Sequence, residues 1–144
     1  MSNKKPEWLV ELEIEEKRRR AKLGLAKIAL LGALKSSRID AVSIAYDGEG
    51  DSGQLTDISA STARGKATKL RGSVVLDLDG RPYRYHSLAE ALDAFTWAVL
   101  QAYHRGFENN EGGYGTLTID VARGTVMLDH NDRIIEVSNK LTEV

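Results

Sequence analysis

Apolar and polar positions along this chain change their period several times, and each change marks an element. Leu23, Ala26, Leu30 and Ala33/Leu34 recur at intervals of three and four, the spacing that gathers side chains on one face of a helix. The pattern predicts one long helix over residues 7–36, frayed at its start. Glu11, Glu13, Glu15 and Glu16 precede the basic run at 17–20, so Glu→Arg pairs four residues apart are expected to support it. Gly24 and Gly32 each cost about 1 kcal/mol of helix propensity against Ala and suggest close packing.

From residue 39 to 46 the period drops to two. Val42, Ile44 and Tyr46 alternate with Ala41, Ser43 and Ala45, which reads as a half-buried strand. Residues 47–53 are a turn-rich run, 55–60 a weaker strand, and 61–72 a loop. Residues 74–78 and 81–85 flank Asp79-Gly80, a strong hairpin signal. Ser87-Leu-Ala-Glu90 is a capping box, and it opens a helix whose stripe is Leu88, Ala91/Leu92, Phe95, Val99, Ala102 and Tyr103. This helix ends near Arg105-Gly106. Residues 116–121 place Leu117, Ile119 and Val121 inward, 125–129 return, and 134–137 add a further strand. The order α-β-β-β-β-α-β-β-β predicts an α+β fold. One domain holds a mostly antiparallel sheet of five to seven strands, covered by two helices on one face.

Composition changes this picture in one respect. The 144 residues are 42% hydrophobic and 28% charged with a net charge of −1, an ordinary globular balance. The charge is uneven, however. Residues 1–38 carry ten Lys/Arg and five Glu, and residues 39–144 carry ten Lys/Arg and sixteen Asp/Glu. A basic helical arm therefore precedes an acidic α+β body. The chain has no cysteine, which removes disulfides, thiol nucleophiles and Cys-based zinc sites. Acidic residues fill the place of a signal peptide's apolar core, and the longest apolar stretch is too short to span a bilayer. The expectation is a cytoplasmic protein without a membrane segment.

The candidate chemistry gathers at one end of the last hairpin. Antiparallel pairing of 116–121 with 125–129 brings Glu108, Asn109, Asn110, Glu111 and Tyr114 to the rim that holds Asp129 and His130. Asp47 and Asp51 join them if the first strand ends on the same side. Oxygen ligands from Asp47, Asp51, Glu108, Glu111 and Asp129 suit a divalent cation, and His130 suits acid–base work. Asn, Asp and Gly are also what tight turns require, so the same run is equally a set of turn-builders. An EF-hand is excluded at 47–58, where Ser52 and Ile58 stand at the positions of the glycine and the glutamate. A phosphate-binding loop is excluded at 60–67, where Ala60 and Ala67 stand at the glycine and Ser/Thr positions. His86, His104 and His130 lack zinc spacing. On the second helix, Asp93, Trp97, Leu100 and His104 lie opposite the main stripe. Either the first helix packs there, or Trp97, Leu100 and His104 form an interface to a partner or a second copy.

Three segments carry a resemblance: YDGEGDSGQ at 46–54, FENNEGGYG at 107–115 and LDHN at 128–131. Together they resemble a family of small bacterial proteins of unknown function associated with plasmids and mobile elements. The resemblance spans roughly residues 40–136 and implies that the three segments belong together, without bringing an activity. The functional expectation is a non-enzymatic binding or regulatory module that engages a macromolecular partner and has no resident cofactor. A small metal-dependent enzyme using the rim carboxylates is the second reading. The third is nucleic-acid association through Lys17, Arg18, Arg19, Arg20 and Lys22 with Arg64, Lys66, Lys69 and Arg71, which predicts steep salt dependence.

Overall fold

The structure, a computed structural model, describes residues 4–49, 52–106 and 111–134. Helix α1 (Glu7–Ser36) spans the expected range and buries Leu23, Ala26, Leu30 and Leu34. It ends where Arg38 takes a left-handed φ of 59° and the Ile39 N–H returns to the Leu34 carbonyl at 2.9 Å. The expected Glu→Arg pairs along α1 are not formed. Among the described residues, the ion pair at this helix joins Lys5 to Glu13. The side chains at its outer end are exposed, and ordering two long chains there gains little.

Strands β1 (Ala41–Glu49), β2 (Ser52–Ser61), β3 (Ala67–Thr68), β6 (Gly113–Asp120) and β7 (Thr125–Asp132) form one antiparallel sheet in the order β3-β2-β1-β6-β7. Strands β4 (Val74–Asp77) and β5 (Pro82–Tyr85) form a separate hairpin. Its turn is closed by the Asp77 carboxylate, which accepts from the Gly80 N–H at 2.8 Å. Helix α2 (Leu88–Tyr103) starts as its capping signal predicts, with Ser87 Oγ accepting from the Glu90 N–H. The fold is α+β, as expected. Both helices and the β4–β5 hairpin contribute to one core with the inward face of the large sheet, through Leu30, Leu34, Leu76, Leu92, Phe95, Ile44, Leu117 and Ile119 among others.

The inward face is ordered in rows across the strands. One row is Ala60, Val42, Ile119 and Val126, and the next is Ile58, Ile44, Leu117 and Leu128. A β-bulge follows in β2, opposite Ala45/Tyr46. One extra residue there resets the alternation. Leu55 therefore faces inward with Ile58 and Ala60, although their numbers differ in parity. This is why β2 reads as a weak strand. The third row is Leu55, Tyr46, Gly115 and His130, and the fourth is Gly53, Gly48, Gly113 and Asp132.

Three predicted segments differ from the structure. The turn-rich run at 47–53 is largely strand, because β1 and β2 continue pairing to Glu49 and Ser52. The GYG of FENNEGGYG is the start of β6, three residues earlier than the alternation implies. The loop at 61–72 holds the short strand β3. The further strand expected at 134–137 lies almost wholly outside the described residues.

Candidate functional site

The last hairpin pairs as its sequence predicts. Gly113 pairs with Asp132, Gly115 with His130, and Asp47 with Tyr114, so the ends of β1, β6 and β7 share one rim. Strand alternation then divides that rim between two faces of the sheet. On the inward face, Tyr46 Oη lies 2.6 Å from His130 Nδ1, and His130 Nε2 lies 2.8 Å from Asp132 Oδ1. A carboxylate only accepts, so Nε2 donates to Asp132. In the neutral imidazole, Nδ1 then accepts from the Tyr46 phenol. His130's side chain is only 3% exposed. Its ring stacks on His104 with centroids 4.0 Å apart.

Glycine makes this contact geometrically feasible. Gly115 stands between Tyr46 and His130 in the row, and a Cβ there would lie 2.5 Å from Tyr46 Oη and also collide with the Asp129 carbonyl oxygen. One row further on, Gly53 lies under the indole of Trp97, where a Cβ would come within 2.6 Å of the ring. Tyr46, Leu100, Trp97, Leu55 and Leu128 pack together over this end of the sheet.

Electrostatics follow from burial. Desolvation, reinforced by the carboxylates of Asp129 and Asp132, pushes the Tyr46 phenol up to about 12. His104 is lowered, first by burial and then by His130, with Asp132 opposing. On the outward face, Arg133 Nη2 donates to Asp47 Oδ2 at 2.8 Å and Nη1 to the Gly48 carbonyl at 3.2 Å. The Arg133 guanidinium also lies 5.2 Å from the centre of the Tyr114 ring. Its hydrogen bond holds the Asp47 carboxyl below the usual range.

A cleft of about 450 Å³ adjoins the inward cluster. Leu23 and Gly24 of α1, Phe95, Val99 and Tyr103 of α2, and Leu117, Val126 and Leu128 of the sheet line it. Arg20 and Lys27 line its α1 side, with the Arg20 guanidinium 5.0 Å from the centre of the Tyr103 ring. His104 lines it too, and so connects the cleft to the His130–Tyr46 pair.

The expected site residues are thus distributed unevenly. Glu108, Asn109, Asn110 and Asp51 lie outside the described residues. Glu111 and Asp129 are exposed, and Asp129 points to the face opposite His130. Among the described residues, no three His, Asp or Glu side chains gather closely enough to hold a metal ion. His86 is exposed at the start of α2, away from the stacked pair of His104 and His130. Leu100 is fully buried and Trp97 half-buried, so the second face of α2 is turned onto the end of the sheet rather than outward. An interface built on Leu100 is corrected accordingly, because a side chain with no exposed surface offers none to a partner.

The sequence pattern gave no site role to Tyr46 or Arg133, and it placed Arg20 in a nucleic-acid-binding run rather than in a cleft shared by Arg20 and Lys27. The last two flank Leu23 and Gly24 seven residues apart, which puts them on one side of α1. That spacing was the available signal. No helix among the described residues is long and apolar enough to cross a membrane. No curated protein and no solved structure matches the chain. A family model does match, over residues 23–144, from the first buried residue of α1 through the rim and onward. The chain belongs to that family, a family of unknown function designated DUF6878.

Proposed function

We propose that this protein is a binding module whose cleft between α1, α2 and the β6–β7 hairpin takes an apolar segment of a partner protein bearing an acidic group. The observation that carries this reading is the composition of the cleft: an apolar lining with Arg20 and Lys27 along one side. A concave apolar surface of a few hundred Å³ with a few placed polar groups is the usual form of a ligand site. The two cations select an anionic group, and His104 supplies a third polar contact at the end that meets His130. As a finer statement of the same proposal, the module serves as an accessory protein of plasmids or other mobile elements, which the resemblance of the three segments implies.

The metal-enzyme reading draws less support, since Asp129 and His130 point to opposite faces of β7. The nucleic-acid reading rests on the basic run of α1 and the basic residues of the 64–71 segment, with charge as its support.

Anilinonaphthalene sulfonate, an apolar body with one anionic group, is a direct probe. Saturable fluorescence enhancement is expected with the parent. Arg20→Glu with Lys27→Glu should weaken binding at least tenfold, and Val99→Trp should block it by filling the cleft, with circular dichroism unchanged. Equal affinity in all three proteins would refute the reading.

A further inference from the structure

Helix α1 carries a second apolar stripe that none of the described residues covers. Val10, Ile14, Leu25 and Ile28 are 40%, 45%, 70% and 68% exposed, and they share one face with Ala21 and Gly24. This face lies opposite Leu23, Ala26, Leu30 and Leu34, which enter the core. A helix that is apolar on two sides normally has neighbours on both. The glycines sharpen the point. Gly24 and Gly32 each cost about 1 kcal/mol of helix propensity. Yet a Cβ built on either meets nothing within 4 Å, so packing within the chain does not require them.

The charges of the same helix identify what covers the stripe. About the midpoint between Glu16 and Lys17, the sequence inverts its own charge on the flank of this stripe: Glu15 mirrors Arg18 and Glu11 mirrors Lys22. A two-fold interface sets each residue against its mirror position in the other copy, so it demands this kind of self-complementarity. An antiparallel neighbour of any other sequence would need an acidic run placed opposite 17–22 and a basic run opposite 11–16. A second copy of this chain supplies both. Among the described residues, no ion pair joins these two runs within one helix; Glu13 is held by Lys5 and Arg20 by the Tyr103 ring, while Glu11, Glu15, Arg18 and Lys22 form no ion pair.

We infer that two copies associate through antiparallel packing of α1 about a two-fold axis at Glu16/Lys17. Glu11 then faces the partner's Lys22, and Glu15 faces the partner's Arg18. Residues 7–26 overlap over about 30 Å at 1.5 Å per residue, which takes in Val10, Ile14 and Leu25 and leaves Ile28 just beyond the overlap. Val10 packs into the turn of the partner's Ala21 and the partner's Gly24, whose small size lets the backbones approach. The core-facing side of each helix stays on its own body, so each protomer keeps its fold, and the interface meets the cleft at its edge, at Gly24.

The absence of native cysteine makes the test clean. Lys17→Cys sits beside the proposed axis and should form an intermolecular disulfide under mild oxidation. Lys35→Cys, exposed on the same face but about 27 Å further along the helix at 1.5 Å per residue, should not. Light scattering should give a dimer for the parent. A Glu11→Lys, Glu15→Lys, Glu16→Lys variant should be monomeric, as should a Lys17→Glu, Arg18→Glu, Lys22→Glu variant, and an equimolar mixture of the two should give heterodimers. Circular dichroism of each variant alone reports whether it folds. Recovery of the dimer on mixing separates lost complementarity from lost structure. A parent that is monomeric at 100 µM overturns the inference, as do variants that dimerise alone or equal cross-linking at both cysteine positions. None of these substitutions touches Arg20 or Lys27, so failure here leaves the cleft reading standing.

Discussion

The phenol of Tyr46 reaches over Gly115 to hydrogen-bond His130 at 2.6 Å, two strands away in the sheet. That crossing requires the middle strand to present no side chain. The contact ties central strand β1 to edge strand β7 on the inward face, and His104 continues it to the cleft.

Gly115→Ala should therefore destabilise by about 1–3 kcal/mol, the usual cost of forcing a methyl into a filled site. Most of that loss comes from displaced neighbours, the Tyr46 hydroxyl among them. Tyr46→Phe alone should cost about 1 kcal/mol, the net worth of one hydrogen bond. In urea unfolding, the double variant should lose less than the sum of the two, since the Phe removes the closest Tyr46 atom from the new methyl. Strict additivity would separate Gly115 from the Tyr46–His130 contact.

Burial and His130 lower His104, and the sign of the pH effect follows. A histidine whose folded value is depressed binds its proton more readily in the unfolded chain. Stability from this group is then complete above its ordinary value of 6.5 and falls as pH drops below it. Melting temperature should decline on acidification from pH 7 toward 5, and His104→Phe should flatten that decline. Tyr46 acts at the other end of the scale. With its phenol at about 12, it should ionise after the exposed tyrosines in a spectrophotometric titration, and stability should fall as pH rises from 10 toward 12.

The core faces were legible because their periods are clean. Phe95 and Ile119 are 2% and 1% exposed, where the stripe of α2 and the alternation of β6 put them. Phe95→Ala or Ile119→Ala should cost about 2–5 kcal/mol in urea unfolding, with the rest of the fold retained. A loss below about 1 kcal/mol in either variant would contradict their burial.

The rim was legible in topology but not in chemistry. Pairing 116–121 with 125–129 correctly brought His130 beside the GYG segment. Gly48, Gly53, Gly113 and Gly115 read as turn residues, yet all four lie in paired strands. Glycine weakens a strand by itself, so propensity points the wrong way here. At Gly115 and Gly53 its place is set by what lies over the strand, Tyr46 and Trp97 respectively, and that depends on contacts between elements distant in sequence. The same holds for the carboxylates. Their spacing put them near one end of the sheet, but strand parity sends Asp129 and His130 to opposite faces. Asp47's partner, Arg133, lies 86 residues away.

Trp97 gives the sharpest test of this end of the molecule. A Cβ on Gly53 would lie 2.6 Å from its ring, and the indole sits on a helix anchored by Leu100 and Phe95, both buried. Gly53→Ala should therefore cost about 1–3 kcal/mol by overpacking. Trp97→Ala opens the space again at the expense of its own contacts. In the double variant the two losses should fall short of their sum, because the added methyl no longer meets a ring. The chain's other tryptophan, Trp8, is 66% exposed and would dominate a solvent-sensitive emission signal. The measurement belongs in a Trp8→Phe background, where Gly53→Ala should shift Trp97 emission as the indole is displaced. Unchanged emission together with additive losses would mean that the indole does not rest on Gly53. The glycine in β2 would then serve the hairpin rather than the packing of α2.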